Sequence, residues 1–493
     1  MTNSFYKLKY FKMIQFKFPV SGKTRTEHDL LGYKEVPEEA LFGIQTLRCI
    51  ENFNISNYHL CDYPEFIKAF GIVKMAAIKA NHKLGLVSDE VCDAVVKACQ
   101  ELIDGKHLEF FPIDMMQGGA GTSMNMNANE VIANRALEIM GHKRGEYQYC
   151  HPNDHVNMAQ STNDAYPSAM HLGLYFINEG VQASLKELIK AFDDKKKAFA
   201  NIIKMGRTQL QDAVPMTLGQ SFGAFADAMR HEASRLQRAA DEFLYTNMGA
   251  TAIGTGITAE PGYAKYCTEY LREISGLDIK LSRNLIEATH DTSCMVAYSS
   301  ALKSIAIRLS KICNDLRLMS SGPRTGIEEI KLPPKQPGSS IMPGKVNPVI
   351  PEVVNQICFK VIGNDFAVTM ASEAAQLELN VMEPVMVESL VESATWMSRA
   401  FSTLRIECIE GIEANRKHCE EQVKHSIGIV TALKPYIGYS NCTEIAKEAL
   451  ESGKSVYDLV LERNLLSKKQ LDVILNPKNM IHPSMIEDIQ TKE

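Results

Sequence analysis

No stretch of the chain stays apolar for the roughly 20 residues that cross a bilayer, which excludes an ordinary membrane-spanning helix. The twelve cysteines contain no CxxC pair and no dense cluster, so neither a disulfide framework nor a cysteine-paired zinc site is written into the sequence. Scattered cysteines in a large chain fit reduced thiols and a cytoplasmic location. Basic charge is not in excess: the net charge is −6, so no global field invites nucleic acid and a charged substrate must be captured by a local site. Internal repeats and low-complexity linkers are absent. Strict apolar–polar alternation is scarce, which argues against a β fold.

The 493 residues exceed what one hydrophobic core of about 250–300 residues holds, and two or three structural regions are expected. The chain opens with Lys7, Lys9, Lys12, Lys17, Lys23 and Arg25 and no acid before Glu27. A basic, acid-poor start resembles a transit peptide, but arginine is scarce and the apolar stretch of a secretory signal is missing, so 1–24 is expected to be a basic N-terminal extension, either disordered or the product of an upstream start. From 25 to 163 short helical patterns are broken by Gly and Pro. A long-helix region follows over 164–417. Leu174, Ile177, Val181, Leu185, Leu188 and Phe192 place one apolar stripe on a helix, and Phe222, Phe225, Met229, Ala233 and Leu236 repeat it. Leu302, Ile305, Leu309, Ile312, Leu316 and Met319 form the clearest stripe, stopped by Ser321-Gly322-Pro323. Spacings that alternate three and four favour shallow helix packing, so the fold class is mainly all-α with a bundle of long helices. A small helical tail over 418–493 is punctuated by Pro435, Gly438, Gly453 and Pro477.

Four segments rich in Gly, Ser, Thr and Asn stand out. Gly118–Asn127 carries glycines that let backbone N–H groups approach a ligand before a helix start, without the Gly-Lys-Ser/Thr ending of a nucleotide-binding loop. By itself it is more often an ordinary turn. Gln160–Asp164 precedes the first long helix, where a polar run is usually a cap. Gly206–Asp212 contains Arg, Thr and Gln that can bind carboxylates, although such runs are usually solvated loops. Gly338–Pro348 is framed by glycine and stiffened by Pro343 and Pro348, and it carries two serines, a lysine and an asparagine. Eleven residues of that composition suggest a segment that opens and closes over a ligand. Cys150, His151, Asp154 and His155 offer metal-type side chains, but no second cluster completes a zinc site and a polar structural turn is expected. His425 is expected at a surface or interface.

Together, and in this order, the four segments resemble the aspartase/fumarase superfamily, whose signature Gly-Ser-Ser-x-Met-Pro-x-Lys-x-Asn is matched from Gly338 to Asn347. The resemblance runs from about Arg25 to Pro483. Val349–Gln356, Gln376–Pro384, Leu30-Leu31-Gly32 and Gly145–Tyr149 resemble the aspartase branch rather than class II fumarases, the alternative reading. Gln209 stands where fumarases carry histidine after Gly-Arg-Thr, so a histidine role cannot be carried over. A third reading, a structural oligomer without turnover, is opposed by intact Ser339, Lys345 and Asn347.

The resemblance implies a carbon–nitrogen lyase that converts L-aspartate reversibly into fumarate and ammonia. It implies Ser339 as the general base at Cβ. Thr122, Ser161, Thr162 and Ser340 are implied around the β-carboxylate. Thr208, Lys345 and Asn347 are implied around the α-carboxylate, and Asn163 and Gln209 near the amino group. No cofactor is implied. Some relatives respond to divalent cations such as Mg2+, but no ligand cluster here can be assigned to one. A homotetramer is also implied, with the long helices at its centre and each site assembled from three subunits.

Overall fold

The computed structural model describes residues 17–480; Lys7, Lys9, Lys12 and the end of the resemblance at Pro483 lie outside them. The fold is mainly α. A β1–β2 hairpin (Thr24–Asp29, Gly32–Pro37) leads into α1 (Ile44–Asn52), α2 (Pro64–Lys83), α3 (Asp89–Ile103) and α4 (Thr122–Ile139). The helix α5 (Thr162–Ala198) is followed by the β3–β4 hairpin (Ile203–Thr208, Gln211–Thr217) and α6 (Leu218–Ala240). Then come α7 (Tyr263–Ser275), α8 (Ser293–Met319), α9 (Val349–Glu373) and α10 (Glu383–Glu407). The tail holds α11 (Arg416–His425), α12 (Val430–Ser452), α13 (Val456–Glu462) and α14 (Lys468–Ile474). Every sheet among the described residues has only two strands. No helix among them is long and apolar enough to cross a membrane.

The chain divides into two compact units, and α5, α6, α8, α9 and α10 each contribute a stretch to both. The first unit comprises residues up to 182, 234–304 and 360–396. Here α2 packs on α3, α4 and α7, and its fully buried Phe66 and Phe70 anchor the core. The second unit comprises 183–233, 305–359 and 397 onward. Phe192, Phe199, Phe222 and Phe225 form an aromatic cluster there, with ring centroids 5.4–6.4 Å apart, the offset and edge contacts that such rings favour. A second cluster of the same unit joins Ile203 and Met205 of β3 to Leu433, Ile445, Leu459 and Leu471 of the tail.

All three sequence stripes lie on helices. Leu302, Ile305, Leu309, Ile312, Leu316 and Met319 are all buried, and α8 stops at Met319, just ahead of Ser321-Gly322-Pro323. In the first two stripes only Ile177 and Ala233 are half-buried. The tail is broken where expected: Gly438 sits at positive φ inside α12, and Gly453 caps its end in the left-handed conformation.

Candidate active site

The first two polar segments meet in the first unit. Gly121 caps α4 with φ +83°, and a Cβ there would collide with the ring of fully buried Tyr166, on the first turns of α5. Glycine is required twice over, by the backbone conformation and by the approach of the ring. Gly121→Ala is expected to cost about 2 kcal/mol or more. Thermal unfolding would register it as a clear fall in midpoint, and an unchanged midpoint would mean that Tyr166 moves aside freely.

Hydrogen bonds decide which hydroxyls of these segments can face a ligand. Ser161 Oγ accepts the N–H of Asn163, and the Asp164 carboxylate accepts the N–H of Ser161. The capping expectation for this run therefore holds, and because the Ser161 oxygen is an acceptor, its O–H is left to donate outward. Thr162 Oγ1 likewise accepts, from Asn125 Nδ2 at 3.4 Å. Thr122 is arranged the opposite way: its hydroxyl donates to the Gly119 carbonyl at 2.8 Å and must rotate to serve a carboxylate. Asn163 Nδ2 donates to the Ala252 carbonyl, turning the Oδ1 acceptor away from that carbonyl.

Beneath these residues lies a network the sequence reading did not single out. Lys74 of α2 is fully buried and donates to Asn125 Oδ1 at 2.6 Å, Gln160 Oε1 at 2.8 Å and Asn157 Oδ1 at 3.1 Å. Burial pushes its ammonium down to about 7, with Asp164 the leading opposing influence. Asp164 is also fully buried and bonds the N–H groups of Gly249 and Thr251; burial raises its carboxyl to about 6 against those donors. A lysine inside the apolar run of α2 was the available signal, since a buried ammonium must be met by partners.

The other two segments lie in the second unit. Thr208 ends β3, and Gln209 and Leu210 form the two-residue tip of the β3–β4 hairpin, at φ +53° and +62°. Both Thr208 and Gln209 are exposed. The base of the hairpin is held by charge: fully buried Glu329 pairs with Lys204 at 2.7 Å and with Arg207. The 338–348 segment has no helix or strand over 338–347 and closes on itself. Gly338 N–H donates to the Lys345 carbonyl at 2.7 Å, and Asn347 Nδ2 donates to the Gly338 carbonyl at 2.7 Å. Asn347 thus uses one N–H as a clasp, and its primary amide carries a second. Within the loop, Ser339 Oγ accepts the N–H groups of Met342 at 3.0 Å and Ile341 at 3.2 Å. Ser340 and Lys345 are exposed.

The His151 ring accepts the N–H groups of Asn153 and Asp154, and His155 Nδ1 accepts the N–H of His151. These side chains build a polar turn, and no group of three or more potential metal ligands occurs among the described residues. His425 is exposed at the end of α11.

Residues 32–363 match a family described as Lyase, and residues 429–482 one described as Fumarase C C-terminus. The chain therefore belongs to this lyase family, the aspartase/fumarase superfamily. Within it, the chain is 58% identical over 469 residues to a Pseudomonas aeruginosa protein named aspartate ammonia-lyase, covering 95% of this chain and 99% of that one. Its structure resembles a Brucella melitensis protein described as fumarate lyase:delta crystallin, with TM-score 0.91 and 51% identity, covering 93% of this chain and all of that one. A class II fumarase from Schistosoma mansoni superimposes with TM-score 0.88 but is 33% identical, covering 94% of this chain and all of that one.

Proposed function

We propose that this protein is an aspartate ammonia-lyase. The observation that carries this is identity of 58% along nearly the whole chain to a protein of that name, against 33% to a class II fumarase. In the reaction a proton leaves Cβ of L-aspartate, the Cα–N bond breaks, and fumarate and ammonia are released.

The difficulty lies in the proton, since Cβ adjoins a carboxylate that is already negative. Its removal gives an aci-carboxylate with two negative charges, which must be met by preorganised donors in a site closed to water. Ser161 and Thr162, whose oxygens accept backbone or amide N–H groups and whose O–H groups remain for a ligand, suit this task, with Thr122 after rotation and Ser340. Thr208, Lys345 and Asn347 take the α-carboxylate, and Asn163 and Gln209 the amino group. Ser339 takes the proton. A free serine is a poor base, but two backbone N–H groups already point at its oxygen and would favour the ionised form. The leaving amine is already protonated near neutral pH, so a strong general acid is not required, and this reading needs no cofactor. Any cation activation is left without an assigned site.

The assembly belonging to this reading is a homotetramer in which neighbouring copies complete each substrate site. Its support is the solvent face of α9, where Val353, Phe359, Phe366 and Met370 are 40–68% exposed in the single chain, an apolar surface that calls for a partner. A cytoplasmic location suits the twelve free cysteines.

Purified protein supplied with L-aspartate is expected to produce fumarate, followed by its ultraviolet absorbance, and to produce little from L-malate. Fumarate from malate alone would establish the hydratase instead. Fumarate from neither would leave a structural oligomer.

A further inference from the structure

We propose that Lys74 is a positioning residue that acts through Asn125 to point the Thr162 hydroxyl at the substrate carboxylate. This rests on the reading that places Thr162 at that carboxylate.

A lysine ammonium has three N–H donors and no acceptor. All three are met by amide oxygens, those of Asn125, Asn157 and Gln160. Lys74 is fully buried and has no donor left for a substrate, so any influence on the reaction must pass through the groups it holds. Those groups are the ligand-facing segments themselves. Asn125 lies on the first turn of α4, just after Thr122, and Gln160 directly precedes Ser161.

The influence has a definite direction. The Asn125 Oδ1 bond to the ammonium is short, at 2.6 Å, and fixes which end of the amide faces Lys74. Asn125 Nδ2 must then face the other way, where it donates to Asn157 Oδ1 at 3.1 Å and to Thr162 Oγ1 at 3.4 Å. An amide flipped end for end would aim N–H groups at a buried cation, a costly arrangement. Because Thr162 Oγ1 accepts, its own hydrogen must leave in another direction and is available to an anion. The cation thus polarises a chain of three groups whose last O–H is oriented before substrate arrives. A hydroxyl preset as a donor needs no reorganisation as charge builds up.

Asn125→Asp tests this with little disturbance of shape. The new carboxylate can still pair with Lys74, but it has no N–H for Thr162 or for Asn157, whose Oδ1 keeps its bond from Lys74. It accepts instead, and draws the Thr162 hydrogen inward, away from the substrate. The expected result is a fall in kcat/KM for aspartate of about tenfold or more, with the thermal midpoint within a few degrees of the parent. Lys74→Met is expected to lose at least as much. In a Thr162→Val background, where no hydroxyl remains to be oriented, Asn125→Asp is expected to cost less than about threefold further, since coupled groups are not additive. An Asn125→Asp enzyme within about threefold of the parent would overturn the proposal, whether or not Lys74→Met folds. Full multiplicative loss in the Thr162→Val background would overturn the relay while leaving Thr162 at the substrate. A Thr162→Val enzyme with parental kcat/KM would remove Thr162 from the carboxylate, and the relay with it.

Discussion

Replacing Ser339 with alanine is expected to lower kcat for aspartate deamination about a thousandfold, the scale on which a positioned general base contributes. Only the oxygen is removed. The change frees the N–H groups of Ile341 and Met342, but the ties that close the loop, from Gly338 to Lys345 and from Asn347 to Gly338, do not involve the Ser339 side chain. A dicarboxylate inhibitor such as succinate is therefore expected to bind the variant about as well as the parent, measured by calorimetry. The contrast between lost turnover and retained binding separates a proton-transfer role from a binding role. Turnover within about tenfold of the parent would take Ser339 out of the role of base. The prediction draws strength from local geometry. The N–H groups of Ile341 and Met342 converge on an oxygen that bears charge only when deprotonated, an arrangement suited to the alkoxide.

Glu329→Ala is expected to have the largest effect on stability. Its carboxylate is fully buried between Lys204, itself nearly buried, and Arg207. Removing the acid strands Lys204 and leaves Arg207 only its longer pair with Asp212 at 3.9 Å, and breaking a buried pair from one side costs about 3–5 kcal/mol. The loss would appear as a lower denaturation midpoint and as proteolytic sensitivity around the β3–β4 hairpin, which these cations anchor. Glu329→Gln keeps the shape without the charge and is expected to recover only part of the loss. If the alanine variant were as stable as the parent, Lys204 and Arg207 would have to find other partners or solvent. Because the same hairpin carries Thr208 and Gln209, the variant should also lose activity in proportion to the disorder at its tip.

Much of the fold could be read from periodicity. The 302–319 stripe is legible because one face is apolar and the opposite face is not. The helices α9 and α10 gave no such signal, and for α9 the reason is visible: Val354, Cys358, Val361 and Val368 are buried while Val353, Phe359, Phe366 and Met370 are exposed, so apolar residues surround the helix and the period is smeared. Residue identities named the polar segments but not their hydrogen-bond directions. Nothing in the runs Gly118–Asn127 and Gln160–Asp164 distinguishes a threonine that donates inward, as Thr122 does, from one that accepts, as Thr162 does. The Lys74 network was illegible for another reason. Lys74 is separated from its partners by 51 to 86 residues, and the set forms only when α2, α4 and the turn before α5 come together.

The tip of the β3–β4 hairpin has a wider meaning. Two-residue turns with both residues at positive φ are built most cheaply from Asn-Gly, whereas this chain uses Gln209 and Leu210, each at a cost of about 1 kcal/mol. A turn chosen only for durability would not carry these residues. The side chains at the tip sit on a less comfortable backbone, and the buried charges at the hairpin's base hold β3 in place beneath it.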